Sequence, residues 1–133
     1  MDHVKSVVAI YEAFGRGDLP GILAHVSEDV DWDYGQADSG VPWLKHRRGH
    51  AGVAAFLGAL GEGTELLQFQ PKEILAGDSV VVALVDLRLR VRATGREVAE
   101  TDEVHVWRFG PSGQVVAFRH ALDSAQQVAA LAG

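Results

Sequence analysis

The chain of 133 residues contains no cysteine. Disulfide bonds, thiolate metal sites and cysteine nucleophiles are therefore excluded. Basic residues are also scarce, because the net charge is −6 at pH 7 and the one basic cluster is the short segment Lys45 to Arg48. A surface that binds nucleic acid needs a patch of Lys and Arg that neutralises phosphates. The sequence therefore argues against nucleic acid as a partner.

Long apolar runs are missing as well. None approaches the roughly 20 residues that a membrane-spanning helix requires, and the first residues lack the charged region and long apolar stretch of a signal peptide. We therefore expect a cytoplasmic protein without a membrane partner. The apolar fraction of 47% and the charged fraction of 23% are ordinary for a globular protein. The length predicts a single domain over residues 1–133.

The chain has no glycine-rich loop of the Walker or Rossmann type and no Gly-x-Ser-x-Gly elbow. We expect neither a cofactor nor a metal ion.

Helical periodicity dominates the first half of the chain. Apolar residues recur at helical spacing from Val4 to Phe14 and predict a first helix of about 12 residues. Asp18 is expected to cap a short second helix that carries Val26 on its apolar face. A third helix is predicted from about His50 to Leu60, and a last one over Ala125–Leu131 after an N-cap at Asp123 or Ser124.

Strand patterns dominate the second half. A short strand is predicted at Val30–Tyr34, and a long loop follows it. Four longer strands are predicted at Glu65–Leu75, Ser79–Arg92, Glu97–Phe109 and Val115–Leu122. Helices followed by a run of strands indicate an α+β architecture. We expect a strongly bent antiparallel sheet that forms a cone, with the three N-terminal helices enclosing a pocket.

The last two strands carry the most informative pattern. Because side chains alternate between the two faces of a strand, one face of each strand can be assigned. These faces carry Thr101, Glu103, His105, Trp107 and Phe109 on one strand, and Val116, Phe118, His120 and Leu122 on the other. Aromatic walls with a few converging titratable groups are typical of a small-molecule pocket. The alternative is a core that contains two hydrogen-bonded histidines.

Three of these residues are the candidate catalytic groups. His105 is the strongest candidate, because an imidazole titrates near neutral pH and can act as a base or as a donor. His120 on the neighbouring strand could pair with it or only line the pocket. Glu103 could orient either imidazole, as a carboxylate does in a triad, or lie at an exposed rim.

The candidate substrate-binding residues are mostly aromatic. Trp43 lies in the long loop, where a lid over the pocket is expected. Asp86 interrupts an apolar strand but shares its parity with Arg88 and Arg90, so an outward-facing charged stripe is the alternative. The full set is Trp32, Tyr34, Trp43, Phe56, Asp86, Trp107 and Phe118.

Three segments together resemble the nuclear-transport-factor-2-like superfamily in its SnoaL-like branch, which is related to ketosteroid isomerases and limonene-epoxide hydrolases. The segments are YEAFGRGDLPGILAHVSEDVDW, RRGHAGVAAFLGAL and HVWRFGPSGQVVAFRHALD. The resemblance covers nearly the whole chain. It implies the cone-shaped fold and a small hydrophobic ligand, but no single reaction, because this fold carries many activities.

The resemblance does not carry over a complete catalytic set. His105 falls where ketosteroid isomerases present a protonated aspartic acid, and Tyr34 falls at their general base. Their oxyanion tyrosine falls at Ile10, one residue before Tyr11. In the Asp-Arg-Asp set of limonene-epoxide hydrolases, Asp86 falls at one aspartate, but His120 replaces the other and Leu84 falls at the arginine.

Two functions therefore remain open. The first is a cofactor-independent isomerase, cyclase or hydratase that uses histidine acid–base chemistry on a small hydrophobic substrate. The second is a non-catalytic module that binds a hydrophobic ligand or only dimerises. An apolar strip predicted on the other face of the sheet, together with the resemblance, implies a homodimer. The strip consists of Val98, Val104, Val106, Val115, Ala117 and Ala121.

Overall fold

A computed structural model describes residues 2–133, within which the chain forms four helices and six strands. In chain order these are α1 His3–Gly15, α2 Leu19–Leu23, β1 Val26–Trp32, β2 Arg47–Arg48, α3 Gly49–Gly63, β3 Thr64–Ala76, β4 Val80–Val91, β5 Glu97–Phe109, β6 Val115–Ala121 and α4 Ser124–Ala132. No helix of this described part is both long and apolar enough to cross a membrane.

Aspartate caps begin three of the helices. The side chains of Asp2, Asp18 and Asp123 accept hydrogen bonds from backbone N–H groups in the first turns of α1, α2 and α4. The caps predicted at Asp18 and Asp123 are thus confirmed. The placement of Val26 on the second helix is wrong, because α2 ends at Leu23 and Val26 begins β1, where it pairs with Val115 of β6.

The six strands form one curved, open sheet in the order β2-β1-β6-β5-β4-β3. All neighbours are antiparallel except β1 and β6, which pair in parallel. The α+β architecture with a bent sheet is confirmed. Helices α1 and α3 cover the concave side, where their apolar faces meet the aromatic side chains of β1, β5 and β6 in one core cluster. This arrangement encloses the space in which the candidate site lies.

A β-bulge in β5 resets the alternation of its side chains. Val85 pairs with Glu103 while Leu87 pairs with Glu100, so two residues of β5 lie opposite Asp86 alone. Asp102, one of the two, has a φ of 60°, in the left-handed region. The bulge moves Val98 and Glu100 to the buried inner face and leaves Thr101 exposed. The inward placement of Thr101 and the outward placement of Val98 were therefore wrong.

A second irregularity lies at the start of β6. Arg108 pairs with Ala117 and Phe109 pairs with Val115, so Val116 has no partner of its own on β5. Val116 is consequently exposed, whereas Val115 is fully buried in the core. Simple alternation predicted Val116 on the pocket face and Val115 on the outer face. Both predictions were wrong, because alternation cannot anticipate the extra residue.

Candidate active site

The pairing of β5 with β6 places His105 directly opposite His120. Their ring centroids are 6.1 Å apart, and both imidazoles line a cavity on the concave side of the sheet. The cavity has a volume of about 90 Å³. Aliphatic and aromatic side chains form most of its wall, and the aromatic ones are Tyr11, Phe14, Trp32, Trp43, Phe56, Phe69, Trp107 and Phe118.

His105 is held by hydrogen bonds at both ring nitrogens. The hydroxyl of Tyr11 lies 2.7 Å from Nδ1, and Oε2 of Glu103 lies 2.6 Å from Nε2. The indole Nε1–H of Trp107 donates to the Tyr11 oxygen over 3.0 Å. Because the phenol oxygen accepts from Trp107, its own hydrogen can donate to Nδ1, and Nε2–H then donates to Glu103. No nitrogen of His105 is left for a ligand.

Burial sets the protonation state of this chain of hydrogen bonds. It lowers the pKa of His105, and the neighbouring Glu103 offsets this only in part. Burial also raises the pKa of Tyr11. At neutral pH Tyr11 is therefore a phenol and His105 a neutral imidazole.

His120 is bound differently. Its Nδ1 lies 2.9 Å from Oδ1 of Asp33, and its backbone N–H donates to the same oxygen over 3.3 Å. Asp33 is fully buried and has a φ of 63°, a conformation held by the bond from its own N–H to the Phe118 carbonyl. Nε2 of His120 has no hydrogen-bond partner among the described residues. The imidazole thus has one nitrogen available on the cavity wall.

The pKa of His120 shifts in the direction opposite to that of His105. Burial alone lowers the pKa of His120, but the hydrogen bond and the negative charge of Asp33, together with the carboxylates of Glu103 and Glu100, outweigh it and raise the pKa overall. The two facing histidines therefore favour different protonation states. Pairs of groups with diverging pKa values are typical of acid–base sites.

Glu103 also faces the cavity. It is 4% exposed, and only its Oε2 accepts a hydrogen bond, from His105. Its Oε1 has no donor among residues 2–133. A free imidazole nitrogen and a free carboxylate oxygen thus share one apolar cavity.

Five of the seven predicted substrate-binding residues line the cavity: Trp32, Trp43, Phe56, Trp107 and Phe118. Trp43 is 2% exposed, and its Nε1–H donates to Oε1 of Gln127 on α4 over 2.6 Å. The loop therefore packs against α4 at this point and Trp43 forms part of the cavity wall. The lid expected at this loop stays a prediction.

The other two lie elsewhere. The hydroxyl of Tyr34 accepts from Nε of Arg108 over 3.0 Å, and the Arg119 guanidinium lies over its ring. Asp86 is on the convex face, where it pairs with Lys72 at 2.8 Å. Neither lines the cavity. The left-handed φ of Asp33 ends β1 before Tyr34, and the parity of Asp86 on β4 directs it outward, which is the alternative stated above.

Tyr11, Asp33, Glu100 and Gln127 were absent from the predicted site. The resemblance put a tyrosine equivalent at Ile10, but α1 directs Tyr11 to His105 instead. The helical apolar pattern already included Tyr11 and could have identified it. No local sequence signal marks Asp33 or Glu100. The left-handed φ of Asp33 and the bulge that follows Glu100 place these side chains in the interior.

One histidine pair has a spacing found in metal sites, because His46 and His50 are four residues apart. Each has its own partner: His46 pairs with Asp31, and Nε2 of His50 donates to the Val26 carbonyl over 2.8 Å. Within the described residues, no three histidine or carboxylate side chains are grouped as metal ligands.

We expect the two site histidines to titrate at separate pH values. In NMR spectra of the imidazole Cε1 protons, His120 should titrate above about 6.5, the usual value, and His105 below it. Asp33→Asn should move the pKa of His120 downward, because the burial penalty stays while the carboxylate is lost. His105 should change less. A His120 resonance that titrates below that of His105 would contradict the proposed charge states.

The chain was compared with known proteins. A family model described as a SnoaL-like domain matches residues 7–118. An NTF2-like protein of unknown function from Burkholderia pseudomallei K96243 is 31% identical over 100% of both chains, with a TM-score of 0.87. A candidate polyketide cyclase from Pseudomonas putida KT2440 is 20% identical over 98% of both chains, with a TM-score of 0.80. TerC, co-crystallised with polyporic acid, is 22% identical over 98% of both chains, with a TM-score of 0.81. Curated protein sequences contain no significant match.

Proposed function

This chain belongs to the SnoaL-like domain family, and we propose that it is a cofactor-independent enzyme of the isomerase, cyclase or hydratase type. Its substrate is small and hydrophobic, and its chemistry is proton transfer. One observation carries the proposal: a buried Asp33–His120 pair leaves Nε2 free on the wall of an apolar cavity.

The two free groups divide the chemistry between them. Protonated His120 donates a hydrogen bond from Nε2 to a substrate carbonyl oxygen and stabilises the negative charge that develops there. Oε1 of Glu103 accepts a proton from the carbon next to that carbonyl. The surrounding aromatic rings exclude water and strengthen both interactions. An enolate formed in this way is the common intermediate of isomerisation and of carbon–carbon cyclisation.

His105 has a supporting role in this scheme. Its Nε2–H holds Glu103, while Tyr11 and Trp107 hold the imidazole. It is a positioning residue that acts through Glu103, because its hydrogen bond fixes the orientation of that carboxyl group. In this proposal His120, and not His105 as the sequence suggested, is the main catalytic histidine.

The similar structures support a small-molecule function without identifying the substrate. One neighbour is called a candidate polyketide cyclase, and another was crystallised with polyporic acid. The alternative is a binding module in which the same wall holds a hydrophobic ligand without turnover. The complete engagement of both His105 nitrogens is compatible with this alternative.

The test uses carbon acids that fit an apolar site: cyclohex-2-enone, 2-indanone and 2-tetralone. The protein is incubated with each in D₂O, and NMR follows the exchange of α-hydrogens against a buffer control. A thermal-shift titration measures binding in parallel. Faster exchange that requires His120 supports the enzyme. Binding without exchange supports the binding module, and neither binding nor exchange rejects both.

We also propose a homodimer formed through the convex face of the sheet. Leu84, Val104 and Ala121 form one cross-strand row there, and Val82 and Val106 form part of the next. These side chains are partly or fully exposed. Val98 and Val115 of the predicted strip are buried in the core and do not contribute.

Light scattering should therefore return twice the chain mass of 14.3 kDa. Val104→Lys should shift the protein to the monomer, because a charge at the centre of the apolar face is costly to bury. Val128→Lys, at an exposed apolar position on α4, should leave the mass unchanged. A monomeric wild type at micromolar concentration would reject the dimer.

A further inference from the structure

A second cavity lies next to the first. It has a volume of about 420 Å³ and lies among the C-terminal part of α1, helix α2, the end of α3 and the start of β3. It shares five lining residues with the inner cavity: Phe14, Ile22, Leu57, Leu60 and Leu66. The two cavities are therefore neighbours that share part of their walls, and we call the second one the vestibule.

The volumes limit what the inner cavity can hold. At about 90 Å³, it is smaller than the cavity of about 150 Å³ that accommodates benzene in a protein core. A substrate with more than a small reactive group needs further space, and the vestibule is the neighbouring cavity. The lining of the vestibule consequently contributes to substrate recognition.

Arg92 is the only charged residue among the lining residues of the vestibule in the described chain. Its Nε donates to the Gly61 carbonyl over 3.2 Å, which holds the guanidinium at the end of α3. No carboxylate of residues 2–133 forms an ion pair with it. Two arginines of β4, which ends just before Arg92, differ, because Arg88 pairs with Glu97 at 2.8 Å and Arg90 pairs with Glu65 at 3.0 Å.

The rest of the vestibule wall has few other polar side chains that a ligand could contact. Apart from Arg92 it is formed by apolar side chains, two glycines and Thr64. The Thr64 hydroxyl already donates to the Leu60 carbonyl over 2.7 Å. A ligand group that makes polar contacts with side chains here must therefore find them mainly at the Arg92 guanidinium.

We propose that the vestibule binds the apolar body and the carboxylate of a substrate whose small reactive end enters the inner cavity, and that Arg92 determines the preference for a carboxylate. The proposal rests on the proposed function, since it assigns the two ends of one substrate. A guanidinium recognises a carboxylate through its planar fork of donors. In a chain of net charge −6, an unpaired cation at the mouth also attracts an anion that the rest of the surface repels.

The experiment compares acids with neutral ligands of the same shape. The probes are 3-phenylpropionate and 4-phenylbutyrate, each against its primary amide, with affinity measured by isothermal titration calorimetry at low and high salt. The wild type should bind the better acid about tenfold more tightly than its amide at low salt, and salt should reduce the difference. Arg92→Gln should remove the acid preference and leave amide affinity unchanged. Arg88→Gln should retain the preference.

Equal affinities for acid and amide in the wild type would overturn the proposal, as would a preference that survives in Arg92→Gln or the failure of both acids to bind. The outcome is separate from that of the acid–base function. If acid preference is absent but His120-dependent exchange is present, only the Arg92 assignment fails. If the preference depends on Arg92 but exchange does not depend on His120, only the catalytic assignment fails.

Discussion

Replacing His120 with glutamine should lower the rate of α-hydrogen exchange by about 100- to 10,000-fold, the usual contribution of an acid–base group. Glutamine can still bond to Asp33, but it cannot carry the positive charge that stabilises a developing enolate. Two quantities are measured for the ketone that the wild type processes. The first is its exchange rate, and the second is its affinity from thermal-shift titration. The loss should appear in the rate and not in the affinity.

The chain contains a matched control for this change. His46 and Asp31 form a histidine–aspartate pair like that of His120 and Asp33, but the pair is solvent-exposed and lies away from the cavity. His46→Gln should leave the exchange rate unchanged. If His120→Gln and His46→Gln behave alike, the buried pair is not the source of activity.

The pH dependence identifies the role of His120. Its pKa is raised, so the protonated donor persists above the usual range of histidine. If His120 acts as the donor, kcat/KM should fall as pH rises through this pKa, and Asp33→Asn should move the fall to lower pH. If kcat/KM instead rises as pH rises through the same pKa, His120 is the base, and Glu103 has a different role.

Replacing His105 with phenylalanine should destabilise the fold by about 2–5 kcal/mol. The change removes the acceptor of Tyr11 and the only hydrogen-bond donor of Glu103 within residues 2–133. Each buried polar group left without a partner costs about 1–3 kcal/mol, or more if it is charged. Urea unfolding at pH 7 measures the free-energy change.

A second variant separates the hydrogen-bond chain from simple packing. His105→Phe combined with Glu103→Leu should recover part of the lost stability, because the isolated carboxylate is removed as well. His25→Phe is the control, since the side chain of His25 forms no hydrogen bond with any of the described residues, 2–133. If the His105→Phe protein is as stable as the wild type, the series of hydrogen bonds from Trp107 through Tyr11 and His105 to Glu103 contributes nothing to the stability of the fold.

The architecture was predictable because its signals are local. The helical spacing of α1, the aspartate caps and the strand alternation each depend on a few neighbouring residues. The Gly110–Gly113 turn joins β5 to β6 directly, so the facing of His105 and His120 followed from one hairpin and a period of two. The order of the three motif segments was sufficient to indicate the family.

The parts of the site that sequence reasoning missed depend on distant contacts. Asp33 and His120 are 87 residues apart, and Tyr11 and His105 are 94 residues apart. These pairs meet only because β1 pairs in parallel with β6 and because α1 packs inside the curved sheet. Local propensity carries no information about such pairings, since each depends on the register of elements that are far apart in the chain.

By itself the sequence determined the order of helices and strands, the α+β architecture and the presence of two histidines among aromatic side chains. The tertiary structure alone decided which polar group is free to act. A bulge at Asp102 placed Glu100 inside and Thr101 outside, and a left-handed residue at Asp33 turned a carboxylate toward His120. The physical reason is that one extra residue or one unusual φ angle reverses the face of the side chains that follow, and only the packed neighbours hold such a conformation in place.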